Sequence, residues 1–198
     1  DAKKLLSLNI THLSAYMLKV ESGTVLKTMV DQKLVDLPSD DESAEIYDAL
    51  FNFLKKKQFY RYETSNFSKV GFMCKHNLTY WNMGNYLGMG LGAHSYFFET
   101  RSENTKKLAD YLEGKTCVFK EKITKDLKKE EFIMLALRTY DGIDLKKFKE
   151  TFGSDLLKDK KDEIDFLLSK NAIKIKNNHL KIRSKFYGTA NQIIVKLI

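Results

Sequence analysis

The residues best suited to chemistry lie within residues 62–98. This segment holds the only tryptophan, Trp81, two of the four histidines and five of the ten glycines. His76 stands beside Asn77 and close to Tyr80 and Trp81. A neutral imidazole can bind haem iron, and aromatic neighbours offer a porphyrin an apolar bed. From these residues alone, a hydrogen-bonded core histidine is the commoner explanation, so a haem contact and a structural role both stay open.

Three glycines alternate shortly after this group, at Gly88, Gly90 and Gly92. In an extended strand all three would lie on one face, which would then carry no side chains. A flat neighbour could press against such a face, either another element of the protein or a ligand. The alternation therefore predicts a surface of close approach without deciding what approaches it.

The chain has only two cysteines, which limits the metal sites and disulfide bonds that it could form. Cys74 and Cys117 are 43 residues apart, and such a pair suggests no disulfide framework. A zinc site needs a full set of ligands at workable spacing, and Cys74, His76, His94 and Cys117 form no paired motif. Zinc is therefore not expected, whereas Cys74 could be a second soft ligand near His76.

Length and composition are typical of a globular protein. Of the 198 residues, 43% are hydrophobic and 30% are charged, which is enough apolar material for a sizeable core. The longest apolar run, from Phe132 to Leu137, is far shorter than the roughly 20 residues that a membrane span requires. No export segment opens the sequence, so a cytoplasmic location is expected. Residues 1–8 resemble the last part of a helix that continues directly into an apolar strand. We therefore expect this chain to be a piece of a longer protein.

Charge is distributed unevenly along the chain. Residues 1–100 carry 11 basic and 11 acidic side chains, so the formal charge of +8 belongs to residues 101–198. We predict a boundary between residues 100 and 125 and divide the chain into domains at 1–115 and 116–198. Few of the 34 basic residues are arginine, the residue that base and phosphate recognition favours. A solvated lysine-rich surface is therefore the preferred explanation of the charge.

The first domain shows the order of an α/β layer. Residues 11–20 are rich in strand-forming types and predict a buried strand. Ser39 and Glu42 form a capping-box pattern ahead of apolar residues at helical spacing, which predicts a helix over 40–57. A short strand is expected at 59–64. This order of strand, helix and strand favours parallel pairing.

The rest of the chain is predicted to be mainly helical. We expect a strand at 95–100, a short helix at 106–113 and a helix at 127–140. A helix that ends at Gly153 and a second helix over 154–170 follow.

The C-terminal residues complete a winged-helix-like order. Two short strands flank an Asn177–Asn178 turn, because asparagine tolerates the positive φ of a tight hairpin. Ser184 is expected to cap a final helix that runs to the end of the chain. Helix, helix, hairpin and helix is the order of a winged-helix module.

Such modules often bind DNA, and residues 170–185 hold six basic residues and no acid. The helix that would enter the major groove is acidic, and DNA phosphates would repel it. Its acidic residues are Asp159, Asp162, Glu163 and Asp165. No specific nucleic-acid binding is therefore expected, although a basic winged-helix nucleic-acid-binding module stays an alternative function.

Four segments together resemble a known family. They are HLSAYMLKVESGT at 12–24, YETSNF at 62–67, HNLTYW at 76–81 and YLGMGLGAHS at 86–95. In them the chain resembles the C-terminal half of the radical SAM haem chaperones of the HemW family, relatives of oxygen-independent coproporphyrinogen III oxidase. The resemblance implies an α/β fold, namely the last part of a partial (β/α) radical SAM barrel followed by a small helical, winged-helix-like C-terminal domain.

The resemblance also implies roles for individual residues. In the chaperone branch HNxxYW is associated with haem binding, which makes His76 a candidate iron ligand and Asn77, Tyr80 and Trp81 candidate haem contacts. In such proteins the GxGA stretch and the strand that holds Tyr16 face the S-adenosylmethionine cavity. The candidate cofactor-lining residues are Tyr16, Gly90, Gly92, Ala93 and His94.

One motif of the family is missing. A CxxxCxxC triplet holds the family's 4Fe-4S cluster and leaves one iron open for S-adenosylmethionine, and this chain has no such triplet. The chain alone is therefore expected to hold no cluster and to be inactive in radical chemistry. For the parent protein, the resemblance implies that haem is bound and transferred to acceptor proteins. Oxidative decarboxylation of coproporphyrinogen III is the alternative.

Overall fold

The computed structural model describes residues 1–198, the whole chain. The chain divides into two compact units, Asp1–Met73 and Cys74–Ile198. None of the helices combines the length and the apolar composition that crossing a membrane requires. The domain boundary predicted between residues 115 and 116 stays a prediction, because compactness within this chain does not define the domains of a longer protein.

The N-terminal unit, Asp1–Met73, contains three helices and one small sheet. The helices are α1 (Ala2–Leu6), α2 (Val25–Asp31) and α3 (Asp40–Lys56). The strands are β1 (His12–Ser14), β2 (Tyr60–Arg61) and β3 (Asn66–Ser68), in the spatial order β1-β3-β2. Both outer strands pair antiparallel with β3. The predicted parallel pairing is therefore wrong, since β1 and β2 run in the same direction but an unpredicted strand lies between them.

Helix α3 confirms the helix predicted over 40–57, and a capping box stabilises its first turn. The Ser39 hydroxyl accepts a hydrogen bond from the Glu42 N–H, and the Glu42 carboxylate accepts one from the Ser39 N–H at 2.8 Å. This capping box satisfies donors that the first helical turn leaves unpaired. Near the other end of the helix, Leu54 is fully buried against Phe59 and Phe67. Local capping and a small apolar core therefore fix α3 on its sheet.

The strand predicted at 11–20 is much shorter in the structure. Only His12–Ser14 pairs with β3, and Ala15 adds one further backbone bond to Ser65, at 2.8 Å. The partner strand β3 is itself only three residues long, so the pairing cannot continue. As a result Tyr16 lies beyond the strand, with 74% of its surface exposed.

The C-terminal unit, Cys74–Ile198, holds the remaining elements. Its first helices are α4 (Lys75–Trp81), α5 (Leu108–Leu112) and α6 (Lys125–Ala136), and the later ones are α7 (Leu145–Phe152), α8 (Leu156–Asp159), α9 (Lys161–Ser169) and α10 (Ala190–Leu197). The strands are β4 (His94–Phe97), β5 (Thr100–Asn104), β6 (Cys117–Lys122), β7 (Ile143–Asp144), β8 (Ile173–Lys176) and β9 (His179–Ile182). They form two antiparallel sheets, in the orders β4-β5-β6 and β7-β9-β8.

Several predicted boundaries in this unit are wrong. The strand predicted at 95–100 turns at Phe98 and Glu99, both with positive φ, into the hairpin of β4 and β5. The helix predicted at 154–170 breaks at Lys160 into α8 and α9. Ser184 caps no helix; it begins a 3-10 helix, and α10 starts only at Ala190. No glycine or proline marks the turn at Phe98 and Glu99 or the break at Lys160, so the sequence carries no local signal for these two, whereas Gly188 lies just before the start of α10.

The predicted order of helix, helix, hairpin and helix is present at the C-terminus. Asn177 and Asn178 have φ of 50° and 61°, the backbone of a tight two-residue hairpin. The apolar faces of α6, α7, α9 and α10 and of the hairpin form one core. Phe148, Leu180 and Leu197 are completely buried in it.

Two glycines of this unit provide a matched test of packing. Gly142 and Gly153 have nearly the same φ, +67° and +70°, but a Cβ at Gly142 would lie 2.3 Å from the carbonyl oxygen of Leu180, whereas a Cβ at Gly153 meets nothing. We expect Gly153→Ala to cost about 1 kcal/mol for its left-handed backbone. Gly142→Ala should cost on the order of 3 kcal/mol, because β9 must also move. Urea unfolding midpoints measure both losses, and equal losses would contradict this account.

Candidate functional site

Helix α4 carries all four residues of the HNxxYW motif. Residues four apart lie on the same face of a helix. The motif therefore pairs His76 with Tyr80 and Asn77 with Trp81, on two adjacent faces. The structure brings the four predicted haem contacts together on one short helix.

His76 is exposed at the surface of the C-terminal unit. Its Nε2 atom lies 3.1 Å from the hydroxyl of Tyr80, and the two rings meet edge to face with centroids 4.9 Å apart. The alternative explanation of His76 required a buried imidazole, and this imidazole is not buried. An accessible imidazole beside an aromatic ring is able to serve as a ligand.

Tyr80 begins a row of three tyrosine rings. It packs edge to face on Tyr86, with centroids 4.5 Å apart, and Tyr86 packs on Tyr96 at 6.4 Å. The backbones of Tyr86 and Tyr96 exchange two hydrogen bonds, of 2.8 and 3.0 Å. Burial raises the pKa of both Tyr86 and Tyr96, so their hydroxyls stay protonated at neutral pH. The row ties α4 to the start of the β4–β5 hairpin.

A cavity of about 250 Å³ opens beside this row. Most of its wall is apolar or aromatic, and the residues of that wall are Tyr80, Met83, Tyr86, Tyr96, Met134 and Leu135. Met134 and Leu135 belong to α6, so the cavity joins parts of the C-terminal unit that are far apart in the sequence.

The polar part of the cavity wall is an ion pair. Arg101, from β5, donates a short hydrogen bond to the carboxylate of Glu131 on α6, and its other terminal nitrogen lies 3.5 Å from Glu121. The hydrogen bond to Glu131 is the main reason that the pKa of Arg101 lies above its ordinary value. The guanidinium is thus already committed to two carboxylates of the same unit.

The three alternating glycines form a loop rather than a strand face. At Gly88 a Cβ would lie 2.2 Å from the carbonyl oxygen of His94, so this glycine permits a close backbone crossing. Gly90 has a φ of +101°, with open space where a Cβ would be. The Asn104 amide donates to the carbonyl of Gly90 at 2.9 Å, and the Gly92 N–H donates to Thr105 at 2.9 Å. The prediction of a strand face without side chains is therefore wrong. The glycines lie in a loop held by hydrogen bonds, where Gly88 permits a close backbone contact and Gly90 adopts a positive φ.

The other candidate cofactor-lining residues have mixed surroundings. Ala93 accepts a backbone bond from Asn104 at 2.9 Å, which places it at the end of the glycine loop. His94 begins β4, is exposed, and lies 3.8 Å from Glu103 on the neighbouring strand. Tyr16 belongs to the N-terminal unit, where its ring is mostly exposed. The structure therefore gathers Gly90, Ala93 and their neighbours in one loop of the C-terminal unit.

Comparison with known proteins shows what this chain is similar to. Residues 123–185 match the family model described as the HemN C-terminal domain. The heme chaperone HemW of Bacillus subtilis (strain 168) is 35% identical over 156 residues, which cover 76% of this chain and 41% of the relative. This chain is similar to proteins of the HemW–HemN family. The heme chaperone HemW of Lactococcus lactis subsp. lactis (strain IL1403) is 29% identical over 201 residues, covering 100% of this chain and 53% of the relative. The chain thus spans about half the length of the curated relatives it matches.

The fold of the chain also matches a solved structure. The structure of coproporphyrinogen III oxidase (HemN) from Escherichia coli, described as a radical SAM enzyme, matches with a TM-score of 0.71. The match covers 99% of this chain and 50% of HemN at 15% identity, which shows a shared fold. It confirms the predicted mixed α/β class, and the small sheets and helices of the C-terminal domain are consistent with it.

A radical SAM cluster does not fit the donors of this chain. Cys117 lies on β6 and Cys74 precedes α4, and there is no third cysteine. No three His, Cys, Asp or Glu side chains of the whole chain converge as metal ligands. Three thiolates at CxxxCxxC spacing are what such a cluster needs, so no step of any reaction can be assigned to a cluster on these residues.

Sequence reasoning missed this cavity. Arg101 and Glu131 are 30 residues apart and gave no motif. Met83, Met134 and Leu135 belong to no motif either. Among the wall residues, Tyr80 in HNxxYW and Tyr86 in YLGMGLGAHS carried a signal.

Proposed function

We propose that this chain is the haem-binding part of a haem chaperone, which holds haem and hands it to acceptor proteins. The observation that carries the proposal is the exposed His76 on α4, beside Tyr80 and an apolar cavity. Relatives along the whole chain bear the name heme chaperone HemW. Because the fold also matches HemN, oxidation of coproporphyrinogen stays the alternative function of the whole protein. That reaction would need an iron–sulfur cluster, and this chain supplies no ligands for one.

Each residue of the motif has a distinct role in this proposal. His76 supplies an imidazole nitrogen to the iron. Its Nε2 atom is held by the Tyr80 hydroxyl at 3.1 Å, so a metal at Nε2 requires that this hydroxyl turn away. Tyr80 and Trp81 offer ring surface to the porphyrin, and Asn77 offers an amide beside them.

We further propose that the glycine loop lines an S-adenosylmethionine site in the whole protein. The proposed residues, all in the C-terminal unit, are Gly90, Gly92, Ala93 and His94. The open space at Gly90 supports this, because a ligand could approach the backbone there without meeting a side chain. A 4Fe-4S cluster in the whole protein would have to be held by cysteines outside this chain.

Titration of the purified chain with haem tests the main proposal. A saturable change of the Soret band at one haem per chain is the expected result. Absence of saturable binding would contradict it. The acceptor proteins and a cytoplasmic location stay predictions.

We expect no iron–sulfur cluster on the purified chain after anaerobic reconstitution. The two cysteines, Cys74 and Cys117, lie on different elements of the structure and lack the triplet spacing. Iron and sulfide analysis measures the result. Iron close to the full complement of a cubane, with matching sulfide, would show that this expectation is wrong.

We also expect no sequence-selective DNA binding. Helix α9 and the preceding α8 carry Asp159, Asp162 and Asp165, which DNA phosphates would repel. Any binding by the lysines of the β8–β9 hairpin should fall steeply with salt and ignore sequence. Gel-shift assays with a selected and a scrambled duplex near physiological salt measure this, and a preference for one duplex would overturn it.

A further inference from the structure

The cavity beside Tyr80 is too small for a whole macrocycle. Its volume is about 250 Å³, whereas sites that enclose a complete drug-sized ligand usually measure about 300 to 1,000 Å³. The cavity can therefore take only one edge of a porphyrin. Tyr80 forms part of its wall and also holds the imidazole of His76, so the cavity lies directly beside the proposed iron ligand.

The wall of the cavity favours an apolar edge. Tyr86, Tyr96 and Leu135 present ring and aliphatic surface. The one cation, Arg101, already binds Glu131 and Glu121. A carboxylate that entered the cavity would approach Glu131, whose side chain is only 13% exposed, and would compete with it and with Glu121 for the single positive charge of Arg101. Carboxylate groups are therefore disfavoured there.

We propose that this cavity receives the pyrrole edge of haem that carries vinyl and methyl groups, and that it selects haem over porphyrins with propionates at that edge. The inference rests on the proposed haem-binding function and adds the orientation and the substrate class. The propionate edge of haem then points away from the tyrosine row.

A series of iron porphyrins tests the selectivity on the unmodified chain. Haem has vinyl groups at the positions where iron mesoporphyrin has ethyl groups and iron coproporphyrin III has propionates. We expect haem and iron mesoporphyrin to bind within about 3-fold of each other, and iron coproporphyrin III to bind at least about 10-fold more weakly, because its extra carboxylate would be buried without a free partner. Equal or tighter binding of iron coproporphyrin III would overturn the inference.

A cavity-filling variant tests the location. Leu135→Phe adds volume inside the cavity, whereas Leu168→Phe makes the same change on α9, away from it. We expect Leu135→Phe to weaken haem binding several-fold and to reduce the preference over iron coproporphyrin III, with Leu168→Phe leaving both unchanged. Circular dichroism and the unfolding midpoint verify that both variants are folded.

The outcomes separate this inference from the proposed function. If haem binds through His76 while Leu135→Phe leaves the affinity and the preference unchanged, the edge assignment is wrong and the haem function stands. If haem does not bind, the proposed function itself fails. If haem binds but not through His76, the iron ligand is reassigned and the edge assignment, which places the cavity beside that ligand, loses its basis.

Discussion

Replacing His76 with alanine is expected to weaken haem binding at least about 10-fold and to broaden the Soret band, because the imidazole is the proposed axial ligand and even outer-shell changes at metal sites reach this size. His76 is exposed on α4, so its replacement should hardly change folding stability. Spectroscopic titration with haem and the urea midpoint measure the two effects separately.

His179→Ala is the matched control. His179 lies in the C-terminal hairpin, where its Nδ1 atom contacts the carbonyl oxygen of Asn177 at 2.8 Å. Its loss should leave the haem spectrum and affinity unchanged. Tyr80→Ala and Trp81→Ala should each weaken binding in part, through lost packing on the porphyrin, without changing the ligand type.

One result would reassign His76. If His76→Ala left the haem spectrum unaltered but lowered the unfolding free energy by about 1 to 3 kcal/mol, the imidazole would be a structural group. The iron ligand would then have to be sought at Cys74 or outside this chain.

Replacing Phe148 with alanine is expected to cost about 3 to 5 kcal/mol of unfolding free energy, the range for a large aromatic removed from a rigid core. Phe148 is completely buried and packs on Phe132 and Phe152, with ring centroids 5.9 and 5.0 Å away. The cavity left behind could not be filled by these rings without movement of α6 or α7. The shift of the urea midpoint, at constant slope, measures the loss.

Phe166→Ala makes the same chemical change on α9. Phe166 is 46% exposed, and its ring lies below the ammonium groups of Lys170 and Lys196. We expect Phe166→Ala to lower the unfolding free energy by less than about 1 kcal/mol, because much of this ring is still in contact with water in the folded chain. Similar losses for the two variants would mean that the core around Phe148 is not the main support of the C-terminal domain.

Local features were predictable because their causes lie within a few residues. The capping box of Ser39 and Glu42 defines the start of α3, and the Asn177–Asn178 turn defines the last hairpin. The spacing in HNxxYW places His76 and Tyr80 on one face of any helix that contains them. These parts of the fold and of the candidate site follow from the order of residues alone.

Long-range features could not be predicted in this way. Because β3 lies between β1 and β2, each of them pairs antiparallel with β3, although the order of strand, helix and strand favoured direct parallel pairing of β1 with β2. The glycines at 88–92 could have formed a strand, but a hydrogen bond donated by the Asn104 amide and one accepted by the Thr105 carbonyl hold them as a loop. Each outcome depends on partners that are distant in the sequence or that carry no motif.

The sequence by itself determined the resemblance to the HemW–HemN family, the capped start of α3 and the acidic character of α9, because residue identity and spacing act locally. That the motif lies on a helix, α4, was shown only by the structure. The tertiary structure alone decided that His76 is exposed and that a cavity lies beside Tyr80. It also decided that Arg101 is occupied by Glu131, 30 residues away. The physical reason is that burial, cavities and ion pairs arise from packing between elements, and that packing is a property of the folded chain as a whole.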